Sequence, residues 1–282
     1  RQLLDRAKDD FLVLISHEVR TPLTSIMGGV NILKSVVKRT NGSDREVLDR
    51  LDVVEVVNII ESSGERLHGF MDDALQMTSI QSSDKELDLR FTSINSLVEM
   101  GLCGVRELAQ MRSIEVINGV EDEQEWLVLC DEKVMKLAFE KILKNAVVHN
   151  CDQGRIMIRE VDEVPEVGRL GESPRAEDIH RLVSQPAFAS YEKLPLKWRL
   201  VEIFNTGEVI PEERREALFG KFELVGRIEH HQRGSGLSLP IAESAVASHG
   251  GRICVRSVKL QGNSFYLLLP TVLASDVPAA VP

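Results

Sequence analysis

The residues with the clearest chemical potential lie in DFLVLISHEVRTPL, residues 10–23. His17 and Glu18 are adjacent, Thr21 follows one helical turn after His17, and Pro22 comes next. The neutral form of an imidazole has a nucleophilic nitrogen near neutral pH, because the reference pKa of histidine is about 6.5. The neighbouring carboxylate can orient the ring or accept its proton. The stretch is therefore a candidate phosphoryl-acceptor site.

The position of His17 in a helical pattern indicates that its ring faces outward. The helix carries a heptad seam of apolar residues, consisting of Leu12, Val19, Leu23, Ile26, Val30, Leu33 and Val37. His17 lies two residues before Val19, which at about 100° per residue puts it on the side away from the core. Pro22 removes a backbone donor and clashes with the Glu18 carbonyl, so we expect a bend there. An ordinary solvated helix face explains these residues alone equally well.

A second helix must pack beside the first. The segment KRTNGSDRE, residues 38–46, breaks the pattern with turn residues. A second seam follows at Val53, Val57, Ile60, Leu67, Met71 and Ala74. Two helices joined by a short turn form an antiparallel hairpin. One hairpin buries too little apolar surface by itself, so we expect a homodimer in which two hairpins pair into a four-helix bundle.

The sequence pattern changes at about residue 87. Short strand-like runs alternate with helical runs, which predicts an α+β domain on a largely antiparallel sheet. We expect a helical hairpin over residues 1–82, a second domain over 83–272, and a linker or tail over 273–282. The connection 159–197 separates two predicted strands and holds four of the ten prolines. Connections of this length are usually functional or mobile.

Composition excludes several classes of function. The chain has 282 residues and a net charge of -10 at pH 7, so we expect no nucleic-acid partner and no contact with an anionic membrane. No apolar run approaches the roughly 20 residues of a membrane span. The four cysteines are scattered without C-x-x-C spacing, which favours a reducing compartment. We expect a cytoplasmic chain, or the cytoplasmic part of a larger membrane-anchored protein.

Five segments together resemble a known family. SHEVRTPL resembles the H-box of bacterial sensor histidine kinases, and the two seams resemble that family's dimerisation and phosphotransfer hairpin. Four later segments are similar, in order, to the family's N-box, first Gly box, F-box and second Gly box: FEKILKNAVVHN (139–150), NTGEVI (205–210), LFGKF (218–222) and RGSGLSLPIAESAVASHGG (233–251). Any single box would be weak evidence, whereas this ordered combination is specific. The resemblance implies a two-layer α/β sandwich, the ATP-binding fold of gyrase-type enzymes.

The resemblance implies ATP and Mg²⁺ as cofactors and assigns residues to them. Asn145 matches the N-box asparagine, whose amide oxygen would bind Mg²⁺, a cation that prefers oxygen ligands. Lys141 stands where the family often has a second asparagine, and it could hold a phosphate or displace the metal. His149 stands where an aromatic residue is common.

The remaining nucleotide contacts implied by the resemblance lie further along the chain. Asn205 replaces the usual aspartate that accepts a hydrogen bond from the adenine amino group. Its carbonyl can still accept, but the bond is weaker without charge assistance. Gly207 matches the first glycine, which lets the backbone approach the base. The other implied contacts are Phe219, Phe222, Arg227, Arg233, Gly234, Gly236 and Leu237.

The resemblance also implies the reaction. The γ-phosphoryl group would move to His17, with Glu18 as general base, and then to an aspartate of a response-regulator receiver domain. The E-V-R-T segment resembles the family's E-x-x-T pattern, in which the threonine positions water for dephosphorylation of the regulator, so Thr21 implies a phosphatase activity. Because Lys141 and Asn205 depart from the family pattern, a degenerate kinase acting as a phosphatase or dimeric scaffold stays open. A purely structural coiled coil would explain the seams but not the Gly boxes.

Overall fold

A computed structural model of the chain describes residues 2–39, 50–81, 87–120, 126–161, 193–215, 236–259 and 261–277, together with Leu182, Phe188, Tyr191, Leu218 and Phe219. The chain divides into two compact units, residues 1–78 with 220–237 and residues 79–219 with 238–282.

Two long helices form the first unit. Helix α1 spans Gln2–Arg39 and helix α2 spans Arg50–Gln81. They approach closely at Gly29, where a Cβ atom would lie 2.7 Å from Cγ1 of Ile60 and 3.4 Å from Cγ1 of Val56. The predicted helical hairpin is therefore confirmed. Within the described part of the chain, no helix combines the length and apolar character needed to cross a membrane.

Large apolar side chains stay exposed on both helices of the hairpin. Leu23 and Val57, both on the predicted seams, are 45% and 46% exposed. Met27 and Leu75 are exposed to a greater extent. Because burying such side chains stabilises a protein by about 1.5–3 kcal/mol each, this surface suits contact with a second copy of the chain. The four-helix bundle stays a prediction.

A seven-stranded sheet forms the basis of the second unit. The strands are β1 (Leu89–Ser93), β2 (Glu115–Asn118), β3 (Trp126–Asp131), β4 (Arg155–Val161), β5 (Lys197–Asn205), β6 (Arg252–Val258) and β7 (Gly262–Leu273). Their order is β1-β3-β7-β5-β4-β2, and β6 pairs with β7 beside β3. Strands β2 and β4 are parallel, and the other described pairs are antiparallel, as predicted.

Helices cover one face of this sheet. They are α3 (Ile94–Cys103), α4 (Arg106–Met111), α5 (Glu132–Val148) and, after a short helix α6 (Glu212–Arg215) that has no buried residue, α7 (Ser238–Ser248). A 3₁₀ turn at Ala274–Asp276 follows β7. Alternate residues of β5 and β7, including Val201, Ile203, Phe265 and Leu267, join the apolar side of α5 in one core. The predicted two-layer α/β sandwich is confirmed.

The second face of the sheet is partly covered by the long connection. Leu182, Phe188 and Leu196 pack with Leu129 of β3 and Val272 of β7 in a separate buried cluster. Strand β7 is consequently buried on both faces, which explains its continuous apolar sequence. The described residues of the connection therefore contribute to the core.

Ordered structure continues into the segment predicted as a tail. Leu273 is the last residue of β7 and pairs with Trp126 of β3. Val277 packs against the second-face cluster. The described structure thus reaches four residues beyond Leu273, because this segment still has apolar partners.

A buried histidine joins the end of α7 to the start of α5. Nδ1 of His249 donates to the carbonyl of Ala245 (2.7 Å), and Nε2 accepts from the backbone N–H of Asp131 (2.9 Å). The Asp131 carboxylate caps α5 by accepting from the N–H groups of Lys133 and Val134. Burial lowers the pKa of His249, although the Ala245 bond and the Asp131 charge oppose that shift. The ring must be neutral to accept at Nε2.

We predict that His249→Gln makes stability less dependent on pH. Because the pKa of His249 is lower in the folded state, the unfolded state takes up the proton more readily once the pH falls through about 6.5. The stability that neutral His249 contributes is therefore fully present above that pH and is lost as the pH falls toward the folded-state pKa. Urea midpoints at pH 7.5 and 5.5 measure this loss.

The matched control for this prediction is His68→Gln, which replaces a histidine whose side chain is 78% exposed. We expect His68→Gln to keep the pH-dependent loss of the wild type. An equal loss in His249→Gln would contradict a neutral, buried His249.

Candidate functional site

The His17 ring has one enclosed nitrogen and an accessible remainder. Nδ1 lies 3.6 Å from Oε1 of Glu18. It is buried without a hydrogen-bond partner, while the side chain as a whole is 39% exposed. A proton on Nδ1, directed at the carboxylate, would leave the lone pair on Nε2. Nε2 is therefore the candidate nucleophile.

Hydroxyl groups bond to the helix backbone around Pro22. Helix α1 continues through this proline. The hydroxyl of Thr21 donates to the carbonyl of His17 (3.3 Å), and that of Thr24 donates to the carbonyl of Arg20 (2.8 Å). Such back-bonding accompanies bent helices. Thr21 is exposed, one turn from His17 and on the same side of α1.

The last two turns of α5 present the N-box residues. Asn145 is half-buried, and His149 is exposed just after the helix. Lys141 lies one turn before Asn145 and is buried. Since residues four apart share a helix face, the ammonium and the Asn145 amide lie on one side of α5.

Asn205 gives the strongest indication of a binding site. It ends β5, it is 1% exposed, and its Oδ1 is buried without a hydrogen-bond partner. Residues two apart in a strand lie on the same face of the sheet. The side chain of Asn205 therefore shares the helix-covered face with Val201 and Ile203. Leaving a buried acceptor unsatisfied costs about 1–3 kcal/mol. A ligand that donates a hydrogen bond there would remove this cost.

Gly207 brings the first Gly box against the end of α5. A Cβ atom at this position would lie 2.0 Å from the carbonyl oxygen of His149 and 2.5 Å from Nδ2 of Asn205. No larger residue fits without moving the backbone. The absent side chain therefore lets Asn205 and the end of α5 line one site.

A polar network that sequence reasoning missed ties these segments together. Oδ1 of Asn150 accepts from the Thr206 hydroxyl (2.8 Å) and from the N–H of Cys151 (3.0 Å). The amide of Asn150 donates to the carbonyl of Arg155 (3.2 Å). The backbone N–H of Arg155 donates to the Thr206 hydroxyl (2.8 Å). The network holds the end of α5, the start of β4 and the turn after Asn205. Asn150 and Thr206 lie inside the two boxes, which is the signal that could have found them.

Asn263 supports the next residues of the first Gly box. Its amide nitrogen donates to the carbonyl of Glu208 (2.8 Å), and its oxygen accepts from the N–H of Ile210 (3.1 Å) and from the hydroxyl of Ser257 (2.6 Å). The side chain is buried. Strand β7 thereby fixes the path of the loop that follows Gly207.

Arg112 caps the other side of this region. Its guanidinium donates to the carbonyls of Val147, Val148 and Asn150, and it pairs with Asp152. These carbonyls lie at or just after the C-terminus of α5, where a positive charge is favourable. No motif in the sequence marked this arginine.

The other predicted site residues fall in different places. Phe219 is buried in the core of the second unit. Gly236 has φ 70, a conformation that favours glycine, and precedes α7, while Leu237 is fully buried. Both belong to the first unit. Phe222, Arg227, Arg233 and Gly234 lie outside the described residues.

Among the described residues, no group of three or more His, Cys, Asp and Glu side chains could hold a metal ion. Mg²⁺ does not need such a group, because it is usually bound through one or two protein oxygens plus substrate phosphates and water. The half-buried side chain of Asn145, with its amide oxygen, fits that requirement.

Two family models match the chain. Residues 130–273 match the Histidine kinase-, DNA gyrase B-, and HSP90-like ATPase, and residues 7–83 match the His Kinase A (phospho-acceptor) domain. The chain belongs to the histidine kinases. The first match contains Asn145, Asn205 and Gly207, and the second contains His17. The kinase is therefore the catalytic core of a two-component signalling protein, as the sequence predicted.

The kinase is similar to proteins from several sources. It is 27% identical over 271 residues to the circadian input-output histidine kinase CikA of Synechococcus elongatus, covering 95% of this chain and 31% of CikA. The chain spans well under half the length of the curated relatives it matches first.

Solved structures share the fold. The histidine kinase ThkA in complex with the response regulator protein TrrA has a TM-score of 0.60 at 20% identity, covering 94% of this chain and 64% of ThkA. Full-length ShkA in complex with AMPPNP has a TM-score of 0.54 at 20% identity, covering 92% of this chain and 45% of ShkA.

We predict that Thr206→Val weakens ATP binding by the kinase. Valine has the shape of threonine without the hydroxyl, so Asn150 and Arg155 each lose a partner and the turn at Gly207 loosens. We expect a loss of about 1–3 kcal/mol in stability, together with a higher Kd for ATP by calorimetry.

The matched control is Thr271→Val. It removes a hydroxyl that donates to the carbonyl of Lys197 (2.9 Å), in a part of the sheet away from Asn205. We expect a comparable loss of stability with an unchanged Kd for ATP. Equal Kd values in the two variants would refute the positioning role of Thr206.

Proposed function

We propose that this kinase transfers the γ-phosphoryl group of ATP to His17 and then to an aspartate of a response-regulator receiver domain. The observation that carries the proposal is the state of the His17 ring. Nδ1 is enclosed beside Glu18, while the side chain remains accessible on α1. A nucleophile of this kind needs one nitrogen with a free lone pair and a base at the other nitrogen.

In the proposed reaction, Nε2 of His17 attacks the γ-phosphorus. The N–P bond forms as the bond from phosphorus to the β–γ bridging oxygen breaks, and ADP leaves. The imidazole becomes more positive during attack, and Glu18 accepts the Nδ1 proton as a general base. Positioned bases of this kind contribute about 10²–10⁴-fold to rate.

The nucleotide would be held by residues of the second unit. The unsatisfied Oδ1 of Asn205 would accept from the adenine amino group, and Gly207 would let the backbone approach the base. Asn145 would hold Mg²⁺ through its amide oxygen, and bound Mg²⁺ would neutralise phosphate charge. Lys141 would add positive charge on the same helix face.

The proposed partners are a second copy of the chain and a receiver domain. The exposed seam residues Leu23 and Val57 support dimerisation through the hairpin. The similar kinase ThkA forms a complex with the response regulator protein TrrA, which supports a receiver domain as the partner that docks near His17.

We predict that His17→Gln abolishes autophosphorylation. The wild type, incubated with Mg²⁺ and γ-labelled ATP, should acquire acid-labile label, and His17→Gln should acquire none because glutamine has no nucleophilic nitrogen. His68→Gln is the matched control. It removes an exposed histidine that also has a carboxylate partner, with Nδ1 2.9 Å from Oδ2 of Asp72, and should label like the wild type. Acid-labile label on His17→Gln would exclude His17 as the acceptor.

A degenerate kinase is the second candidate function, and one observation favours it. Lys141 is buried one turn before Asn145, so its charge competes with a metal ion for the same face of α5. An unlabelled wild type that still binds ATP would support this alternative, in which the chain acts as a phosphatase or a dimeric scaffold.

We also propose that the kinase dephosphorylates its regulator, with Thr21 positioning the attacking water. Thr21→Ala should spare autophosphorylation and slow the loss of label from a phosphorylated regulator by about 10²-fold, the typical cost of a misplaced reactant. Thr24→Ala is the matched control, since Thr24 makes the same kind of backbone bond two residues past Pro22. Unchanged dephosphorylation in Thr21→Ala would remove Thr21 from the mechanism.

A further inference from the structure

We propose that Asn205 lets the nucleotide site accept 6-oxopurine nucleotides, such as inosine triphosphate, as well as ATP. The inference rests on the proposed function, in which Asn205 contacts the base. It concerns the choice of substrate class at that site.

The Asn205 amide is enclosed but not fixed in orientation. The residue is 1% exposed and its Oδ1 has no hydrogen-bond partner. Among the described residues, no hydrogen bond ties its Nδ2 either, and that atom lies beside Gly207. Nothing in this part of the chain therefore determines which end of the amide faces a ligand.

An amide can offer either sign of hydrogen bond at one place. Its oxygen accepts and its NH₂ group donates, and the two ends have nearly the same shape, so a half-turn of the terminal group exchanges them. Adenine presents a donor at position 6, the amino group, and hypoxanthine presents an acceptor, the carbonyl. Asn205 can satisfy both groups, whereas an ionised aspartate only accepts and at position 6 can satisfy only the amino group.

The surrounding backbone is held firmly, so the amide alone must adapt. Asn205 is paired in the sheet between Ile156 of β4 and Asn263 of β7. The next residue, Thr206, is bonded to Asn150 and Arg155. A Cβ at Gly262 would lie 2.1 Å from the Asn205 carbonyl oxygen, which shows how closely β7 packs there. Preference at position 6 of the purine should therefore depend on residue 205 itself.

The test is calorimetric titration of the whole chain with ATP and with inosine triphosphate, each in the presence of Mg²⁺. The proteins are the wild type, Asn205→Asp and Asn58→Asp. Asn58 is exposed on α2, so Asn58→Asp makes the same change of charge away from the nucleotide. Folding of each variant is checked by thermal unfolding.

We expect the wild-type Kd values for the two nucleotides to lie within about tenfold of each other. Asn205→Asp should raise the ratio of the Kd for inosine triphosphate to the Kd for ATP by about 10²-fold or more, because sites built around one hydrogen bond reject the mismatched group strongly. Asn58→Asp should keep the wild-type ratio. The two purines also differ at N1, which carries a proton in hypoxanthine but not in adenine. Comparing the ratios removes the part of that effect that does not involve residue 205.

The possible outcomes distinguish failure of this inference from failure of the proposed nucleotide-binding function. If ATP binds and Asn205→Asp leaves the ratio unchanged, the inference is wrong while the nucleotide site stands. If the wild type binds neither nucleotide, both proposals fail. If Asn205→Asp does not fold, the wild type is titrated with purine riboside triphosphate, which has nothing at position 6. ATP and inosine triphosphate must then both bind more tightly than purine riboside triphosphate. If inosine triphosphate binds more weakly than purine riboside triphosphate, the inference is overturned.

Discussion

The contact between Gly207 and the end of α5 constrains the whole nucleotide-binding unit. The carbonyl of His149 occupies the space that a side chain at residue 207 would need, with only 2.0 Å left for a Cβ atom. The first Gly box can therefore pass directly beside the last turn of α5. Without that approach, Asn205 and Asn145 would belong to separate surfaces, and the chain would have a sheet and a helix but no common site.

The hydrogen bonds around this contact explain why it is maintained. Asn150, Thr206 and Asn263 each bond to more than one segment, so that the loop after β5 is held from the side of α5 and from the side of β7. Nearly all of this buried polarity is internally satisfied. Among the described residues around this contact, Oδ1 of Asn205 is the exception, and an unsatisfied atom in such a well-bonded region is what a ligand-binding position should look like.

Local sequence patterns predicted much of this structure. They could not predict contacts between residues that are far apart in the sequence. Alternation of apolar residues located the strands, and the order of the boxes led to Asn145, Asn205 and Gly207. Arg112 was missed because its carbonyl partners are 35 to 38 residues away, and no local pattern records such a bond. The packing of Phe188 under the sheet was missed for the same reason, since prolines and length marked its segment only as a long connection.

Side-chain hydrogen bonds hold helix α5 at both ends. Asp131, which is bonded to His249, caps the N-terminus, and the guanidinium of Arg112 caps the C-terminus. Both ends of the helix are thus held by bonds that do not involve nucleotide. A nucleotide that binds along this helix meets a preorganised surface, so little of its binding free energy is spent on reducing the conformational entropy of the helix. The affinity of the site for nucleotide should consequently draw on nearly the full strength of the contacts proposed at Asn145 and Asn205.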